Sequence, residues 1–191
     1  MNYQNVLLKG GNKVAGRPPK QHIDFAGWDV NIFDNEPKID KLLDAHGIIG
    51  FGIFFFLCQR AYGSNGYFYE WSYSDASTTA RRLGGGAGSQ TVVETVRTCL
   101  RVGLFDNDLF VECGILTSSR IQKNWLYVAK ERTGDTVIIE DYWLLEPPKK
   151  SVKKGEKTGS FVFHTLKKNY DPPKLNYDPP QNPILRPYSK G

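Results

Sequence analysis

Residues 74–102 read SDASTTARRLGGGAGSQTVVETVRTCLRV and set the architecture of the chain. Ser74 and Asp75 are good N-cap residues, because their side-chain oxygens accept the unpaired N–H groups of a first helical turn. A short helix over residues 76–83 is predicted after them, with small and apolar side chains on one face. The five-residue link Gly84–Gly88 ends that helix, since glycine adopts turn conformations at little cost.

A second helix is predicted after the link, with Ser89 as its cap and an end near Val102. Apolar positions on one side predict a buried stripe made of Val92, Val93, Val96, Cys99 and Leu100. Polar positions recur on the opposite side and predict an outward stripe made of Gln90, Glu94, Arg97 and Arg101. The helix is rich in β-branched residues, so packing rather than intrinsic propensity must hold it.

The segments before residue 74 predict an extended piece, a broken helix and a strand. Apolar and polar side chains alternate in Phe25–Phe33, which predicts a half-buried extended segment. Pro37 suits a first helical turn, and Gly47 allows a break before the stretch Ile48–Tyr62. That stretch is apolar nearly all round, so it is expected to be the buried centre of the domain. Tyr67–Trp71 predicts a short aromatic strand.

The segments after residue 102 predict a small strand pair and a last helix. Leu104–Phe105 resembles a strand start, residues 106–108 a turn, and Leu109–Cys113 a short apolar piece before the return strand Ile115–Thr117. Ser118 or Ser119 is expected to cap a helix that ends near Arg132. The apolar segment Val137–Leu145 is left as either helix or strand.

This order of elements is that of a winged helix-turn-helix domain, mostly α with a small β component. We expect three regions: a flexible basic arm over 1–21, the winged-helix domain over 22–146, and a Lys/Pro-rich, disordered or extended tail over 147–191. The net charge of +5 divides unevenly, because residues 1–20 carry +4, residues 147–191 carry +7 and residues 21–146 carry −6. Attraction of nucleic acid would therefore depend on a local patch or on the arms.

Several classes of function are disfavoured by what the sequence lacks. The longest nearly unbroken apolar run, Ile48–Cys58, has 11 residues, against about 20 for a membrane span, and the N-terminus has no secretory h-region. The three cysteines lack metal-ligand spacing, and the three histidines lie far apart. The Gly84–Gly88 link lacks the Gly-Lys-Ser/Thr ending of a phosphate-binding loop. We therefore expect no enzyme activity, cofactor, metal or membrane, and a cytoplasmic location.

The stretch from about His22 to Leu145 resembles the Lin-like N-terminal domain of phage, prophage and mobile-element proteins. It is also similar to the N-terminal winged-helix domains of phage replisome organisers and DnaD-type replication-initiation proteins. The matching pieces are Gly27–Phe33, Ile48–Gly52, Gly66–Trp71, Val102–Asp106, Gly114–Ser118 and Ile121–Lys123. The resemblance implies a winged-helix fold and a role in replication initiation of a mobile element, with no established catalytic residues. Related proteins often add a C-terminal oligomerising or helicase-loader-contacting domain, whereas a short Pro/Lys tail follows here.

Duplex DNA is the expected partner, with the second helix of the pair in the major groove and the strand pair over the backbone. The candidate DNA-binding residues are Arg81, Arg82, Ser89, Gln90, Arg97, Arg101, Arg120 and Lys123. Lys130 extends the cluster around Arg120 and Lys123. The alternative interpretation of these cations is a solvated helix face, with Arg97 paired to Glu94. The aromatic strand could stack on single-stranded bases, but core packing is the favoured interpretation.

A protein-interaction adaptor is the second hypothesis, favoured by the acidic middle of the chain. The repeat at 169–173 and 176–180, Asn-Tyr-Asp-Pro-Pro in both copies, would then act as a docking peptide or else serve as a linker. A replicative helicase, a helicase loader and a second copy of the chain are the candidate protein partners.

Overall fold

The computed structural model describes residues 21–34, 36–132, 135–148 and 160–166. Five helices dominate this part of the chain: α1 (Pro37–Gly63), α2 (Ala76–Leu83), α3 (Ser89–Arg101), α4 (Asn107–Cys113) and α5 (Ser119–Ala129). Four short strands accompany them: β1 (Tyr69–Glu70), β2 (Ile115–Leu116), β3 (Thr136–Ile139) and β4 (Phe161–His164). The class is mostly α with a small β component, as the sequence predicted.

Helix α1 begins and breaks where the sequence placed its signals. Pro37 is the first helical residue, and the Glu36 side chain accepts from the backbone N–H of Lys38 at its N-terminus. Gly47 interrupts the helix with φ 59° and ψ −158°, a conformation that L side chains rarely adopt. Helix α1 therefore consists of two helical segments, 37–46 and 48–63, that are joined at Gly47.

The second segment of α1 is not the fully buried centre that its composition predicted. Ile53, Leu57 and Ala61 on one side are buried and pack towards α3 and α5. On the other side, Ile48 is 70% exposed and Phe55 is 40% exposed. The prediction was wrong because composition shows how apolar a helix is, and not how many of its faces the rest of the fold covers.

By length and composition alone, α1 is apolar enough to cross a membrane, with a mean hydropathy of 1.6 over its most apolar 18-residue window. The uninterrupted apolar run Ile48–Cys58 is shorter than this window and does not reveal it. The same test is passed by core helices of globular proteins, and here one face of α1 contributes nine residues to the buried set.

The wing expected after α3 is replaced by a helix. Asp106 caps α4 by accepting from the Leu109 N–H at 3.0 Å, and Gly114 ends α4 with φ 66° and ψ 31°. Leu109, Phe110 and Cys113 thus share a helical face. The turn expected at 106–108 is wrong, and the short apolar piece 109–113 is helical. Strand β2 pairs with β1 in antiparallel register, Tyr69 opposite Leu116 and Glu70 opposite Ile115. After α3, where a winged helix has a β-hairpin, this chain has the helix α4 and then β2, which pairs with β1.

The last part of the segment 25–33, residues 30–33, forms a turn, so the extended segment predicted from the alternation does not continue to Phe33. The Asp29 carboxylate accepts from the Asn31 N–H at 2.9 Å, and the Asp29 carbonyl accepts from the Ile32 N–H at 3.2 Å. Such local side-chain bonds compete with strand pairing. Ile32 is buried and Trp28 half-buried, while Val30 points outward and is 90% exposed.

The aromatic residues of 67–71 are core, as the favoured interpretation had it. Tyr67, Phe68 and Trp71 are buried. The Tyr67 hydroxyl accepts from the Ile139 N–H at 2.8 Å, and burial raises the pKa of this phenol. The Trp71 indole N–H donates to the Thr79 hydroxyl at 3.0 Å. Tyr67 and Trp71 are therefore not accessible for stacking on single-stranded bases, whereas Tyr69 is half-buried with the Arg60 guanidinium 5.3 Å from its ring centroid.

The segment left open at 137–145 is a strand followed by a 3₁₀ turn, β3 and then Glu140–Tyr142. Buried Gln122 holds the following chain, donating to the Tyr142 carbonyl and accepting from the Leu144 N–H, both at 2.8 Å. Strand β4 comes from the region assigned to the tail. It pairs in parallel with β3, Thr136 opposite Phe161 and Ile139 opposite His164.

Candidate nucleic-acid interface

The link between α2 and α3 sets the geometry of the candidate interface. Gly84, Gly85 and Gly86 have φ values of 71°, 65° and 81°, the left-handed region that glycine enters without a Cβ penalty. The Gly84 N–H donates to the Ala80 carbonyl at 3.0 Å and closes α2. The cap of α3 is Gly88, so Ser89 is the first helical residue and not the cap that the sequence predicted.

Helix α3 separates its two stripes as the sequence predicted. Val92, Val96 and Cys99 are buried, with α1 and α2 as the principal neighbours of the helix. The exposed positions are Ser89, Gln90, Glu94, Arg97 and Arg101. The inner face is wider than expected, because Thr95 and Thr98 are buried with it. The exposed face of α3 is therefore a narrow ridge, widest in the first turn.

Arg97 does not pair with Glu94. Its guanidinium lies over the Tyr73 ring, 5.3 Å from the centroid. Glu94 instead accepts from the Gln90 side-chain amide at 2.9 Å. A guanidinium attracted to the face of a ring can keep N–H groups available for other acceptors while its rotamer freedom is reduced. Tyr73 is thus a supporting residue that sequence reasoning missed, since no periodic pattern relates it to Arg97.

The first segment of α1 lies along the C-terminal end of α3. The His46 Nε2 atom is 2.9 Å from the Thr98 hydroxyl, and Arg101 donates to that same hydroxyl at 3.3 Å. Lys38 donates to the Gly103 carbonyl at 2.8 Å. Burial lowers the pKa of His46; Glu94 acts against this shift and Arg101 adds to it. His46 therefore favours its neutral form beside the ridge.

The eight candidate residues fall into two groups. Arg81 and Arg82 are exposed in the last turn of α2, so they lie at one end of the glycine link while Ser89 and Gln90 lie at the other. Arg97 and Arg101 continue the same side of α3. Helices α2 and α3 pack on each other, so we group these six exposed residues as one candidate surface. We call it the α2–α3 surface.

Arg120 and Lys123 belong to α5 and are not part of the α2–α3 surface. Arg120 pairs with Glu36 at 3.5 Å, and one of its guanidinium nitrogens, Nη1, is buried. Its guanidinium is directed at the start of α1 and is partly buried, so the proposed DNA contact of Arg120 stays a prediction. Lys123 is exposed, as is Lys130, whose ammonium lies 4.6 Å from the centroid of the Tyr127 ring.

The side chains of the α2–α3 surface are of types that hydrogen-bond to nucleic acid. Its four guanidinium groups can donate to phosphate oxygens or guanine edges, and the Gln90 amide matches the edge of adenine. Among the residues with described positions, no group of three or more His, Cys, Asp or Glu side chains is placed to hold a metal ion. Cys58 and Cys99 are buried thiols whose pKa values burial raises, so they behave as core residues.

Comparisons with known proteins show that the chain is similar to a family of phage-related proteins. Residues 27–121 match the family model described as Lin1244/Lin1753-like, N-terminal. The chain is 32% identical over 132 residues to a protein of Listeria innocua described as uncharacterized phage-related protein Lin1244/Lin1753. That alignment covers 69% of this chain and 42% of the Listeria protein, so the chain spans less than half of that relative's length. No solved structure matches the chain.

Proposed function

Residues 27–121 form a Lin1244/Lin1753-like N-terminal domain of phage-related proteins, and from this premise we propose that the chain binds duplex DNA. The observation that carries the proposal is the α2–α3 surface. A glycine link joins two packed helices there, as in a helix-turn-helix pair, and the two helices carry four exposed arginines.

The first turn of α3 is the part suited to a groove. In helix-turn-helix proteins, residues near the N-terminus of the second helix contact base edges. Here that turn carries exposed Ser89 and Gln90, and the neighbouring end of α2 carries Arg81 and Arg82. Arg97 and Arg101, further along the ridge, would contact phosphates. Helix α4 occupies the position of the wing, so the proposal assigns backbone contacts to arginines and not to a hairpin.

Glu94 limits how strongly this surface attracts DNA. Its carboxylate lies on the exposed ridge between Gln90 and Arg97 and repels phosphate. The part of the chain between the basic arms is also acidic, at −6 over residues 21–146. Binding would therefore need the arginines to be close to the phosphates, which favours a defined docking geometry over general electrostatic attraction.

Replication initiation in a phage or mobile element is the process we propose for this binding. The resemblance to replisome organisers and DnaD-type initiators supports it, and the phage-related family is consistent with it. In that role the chain is a non-enzymatic, cofactor-free DNA-binding protein in the cytoplasm of a bacterial host. Its proposed protein partners are a replicative helicase or a helicase loader.

Titration against DNA over a range of salt concentrations tests the proposal. The probes are the duplex upstream of the protein's own gene and an unrelated duplex of equal length. Replacing Arg97→Ala and Arg101→Ala together should weaken binding and reduce the slope of log K against log salt by about 2, close to one unit per lost phosphate contact. The matched control replaces Lys123→Ala and Lys130→Ala on α5 and should leave the slope close to that of the wild type.

Two outcomes would overturn DNA binding through the α2–α3 surface. The first is no measurable affinity for either duplex at about 50 mM salt, where phosphate contacts are strong. The second is an unchanged affinity and slope in the Arg97/Arg101 double variant. A larger loss with the α5 control than with the α3 variant would move the interface to the Lys123 surface.

A protein-interaction adaptor is the second candidate function. It is favoured by the exposed apolar side of α1 and by the negative charge of residues 21–146. The Asn-Tyr-Asp-Pro-Pro copies at 169–173 and 176–180 lie outside the described residues. Removing residues 167–191 should abolish capture of purified helicase or loader if these copies are the docking peptide, and capture that persists would exclude that use of the tail.

A further inference from the structure

Most of the exposed large apolar side chains belong to two segments of the described chain. Of the eight large hydrophobic side chains exposed in the described part of the chain, six lie within residues 25–33 and 48–55. Aromatic contacts connect these two segments. Trp28 lies 4.9 Å from Phe55 and 6.3 Å from Phe51 between ring centroids, and Phe33 lies 4.8 Å from Phe51. Isolated exposed hydrophobics are ordinary, whereas a contiguous apolar patch marks an interaction site.

Helix α1 explains why this surface is apolar. Between Ile48 and Gln59 it carries no Asp, Glu, Lys or Arg. Its side towards α3 is covered, while Ile48, Gly52 and Phe55 recur at helical spacing on the opposite side. A helix that is apolar all round needs cover on both sides. In the described part of the chain only one side of α1 is covered, so the other side is suited to a partner. We call the uncovered side, with Ile48, Gly52 and Phe55, the α1 outer face.

A second copy of the chain fits the α1 outer face better than a lipid surface or a charged partner. In a two-fold contact each group meets its own equivalent region, so a centre without charges avoids like-charge repulsion. Gly52 leaves a depression, since a Cβ added there would meet nothing within 4 Å. Ile48 and Phe55 project on either side of it. Projections and a depression on one face are self-complementary when two helices cross at that glycine.

Acidic side chains at the edge of the α1 outer face disfavour binding to an anionic membrane. Asp29 and Asp34 are exposed and adjoin Trp28 and Phe33 in the chain, and acidic side chains are repelled by anionic lipid headgroups. The α1 outer face also lies on the side of α1 away from α3, so a partner there would leave the α2–α3 surface accessible.

We propose that the chain forms a two-fold homodimer through the α1 outer face, with the two α1 helices crossing at Gly52. Ile48 and Phe55 of each copy pack around the crossing, and the rings of Trp28, Phe33 and Phe51 close its edge. This inference goes beyond DNA binding and does not depend on it, because it rests on the opposite side of α1.

Light scattering after gel filtration, over about a hundredfold dilution series, tests the dimer. Ile48→Glu and Phe55→Glu should each raise the dimer Kd by at least about a hundredfold, because a carboxylate would be buried without a partner. The chain offers matched controls elsewhere. Tyr127 is 71% exposed against 70% for Ile48, and Val111 is 40% exposed, the same as Phe55. Tyr127→Glu and Val111→Glu should remain dimeric, and circular dichroism should show the same helix content for all four variants.

Cross-linking tests where the two copies meet. In a Cys113→Ser background, Gly52→Cys should form a covalent dimer under mild oxidation, since residues at a two-fold axis lie near their own equivalents, whereas Val111→Cys should not. Cys58 and Cys99 are buried and stay reduced. A wild-type chain that is monomeric at every concentration would overturn the proposal. So would dimers that survive both Glu variants, or a monomer that floats with vesicles of phosphatidylethanolamine and phosphatidylglycerol.

Discussion

At the scale of single residues, His46 joins the two longest helices near the candidate interface. Its ring faces the Thr98 hydroxyl, which also accepts from Arg101, so one hydroxyl connects an imidazole and a guanidinium. Protonation of His46 would place a second positive charge beside Arg101. The lowered pKa of His46 opposes that state, with burial as the main cause.

Stability should therefore depend on pH through His46. Because its pKa is lower in the folded chain than in the unfolded chain, the unfolded chain binds more protons, and His46 destabilises the fold as the pH falls below about 6.5. His46→Gln removes the titration and keeps a polar group towards Thr98. Between about pH 7.5 and pH 5.5, the melting temperature should fall more for the wild type than for His46→Gln. Equal falls would show that His46 does not contribute.

At the scale of elements, α4 is the part of the fold that departs most from expectation. The sequence contained its signals, a cap at Asp106, apolar residues at helical spacing and Gly114 at the end. The same apolar run also suited a short strand, and a run this short does not separate the two by periodicity. Strand β2 follows α4 at once and pairs with β1, so α4 is packed against the ladder.

The Asp106 cap provides a direct test of α4. Asp106→Ala removes the acceptor of the Leu109 N–H and should lower the free energy of unfolding by about 1 kcal/mol, measured by urea denaturation. Asp106→Asn keeps an acceptor and should lose only a few tenths of that amount. If the two variants were equally stable, the cap would have no role and the helical assignment of 107–113 would lose its support.

At the scale of the whole molecule, the folded unit extends past the end predicted from composition. Strand β4 lies beyond residue 147 but is fixed at both ends by earlier residues. The Ser160 N–H donates to Asp135, the Thr165 hydroxyl to Glu140 and the Leu166 N–H to Asp141. Apolar side chains of β4 also reach the core, since the Phe161 ring lies 6.5 Å from that of Trp125.

Two truncations should consequently differ in stability. A chain that ends at Pro148 loses β4, and three half-buried apolar side chains lose their contacts at roughly 1 kcal/mol each, so its free energy of unfolding should fall by about 2 to 4 kcal/mol. A chain that ends at Leu166 keeps every hydrogen bond between β4 and residues 135–141. Urea denaturation of both chains measures the difference. Equal stability would mean that β4 adds nothing to the domain.

The sequence by itself determined the local features of this protein. Helix starts and breaks at Pro37, Gly47 and the Gly84–Gly88 link, and the outward stripe of α3, follow from caps, left-handed glycines and periodicity within a few residues. These signals act between neighbours in the chain, so they can be read without knowing the fold.

Only the tertiary structure decided which surfaces are covered and what distant groups meet. Arg120 faces Glu36 across more than 80 positions of sequence. Thr136 of β3 pairs with Phe161 of β4, 25 positions further along the chain, and one side of α1 is covered while the other is exposed. Composition could not distinguish these outcomes, because burial and pairing depend on where remote segments pack. The candidate DNA surface on α2 and α3 and the proposed dimer face on α1 both arise from that packing.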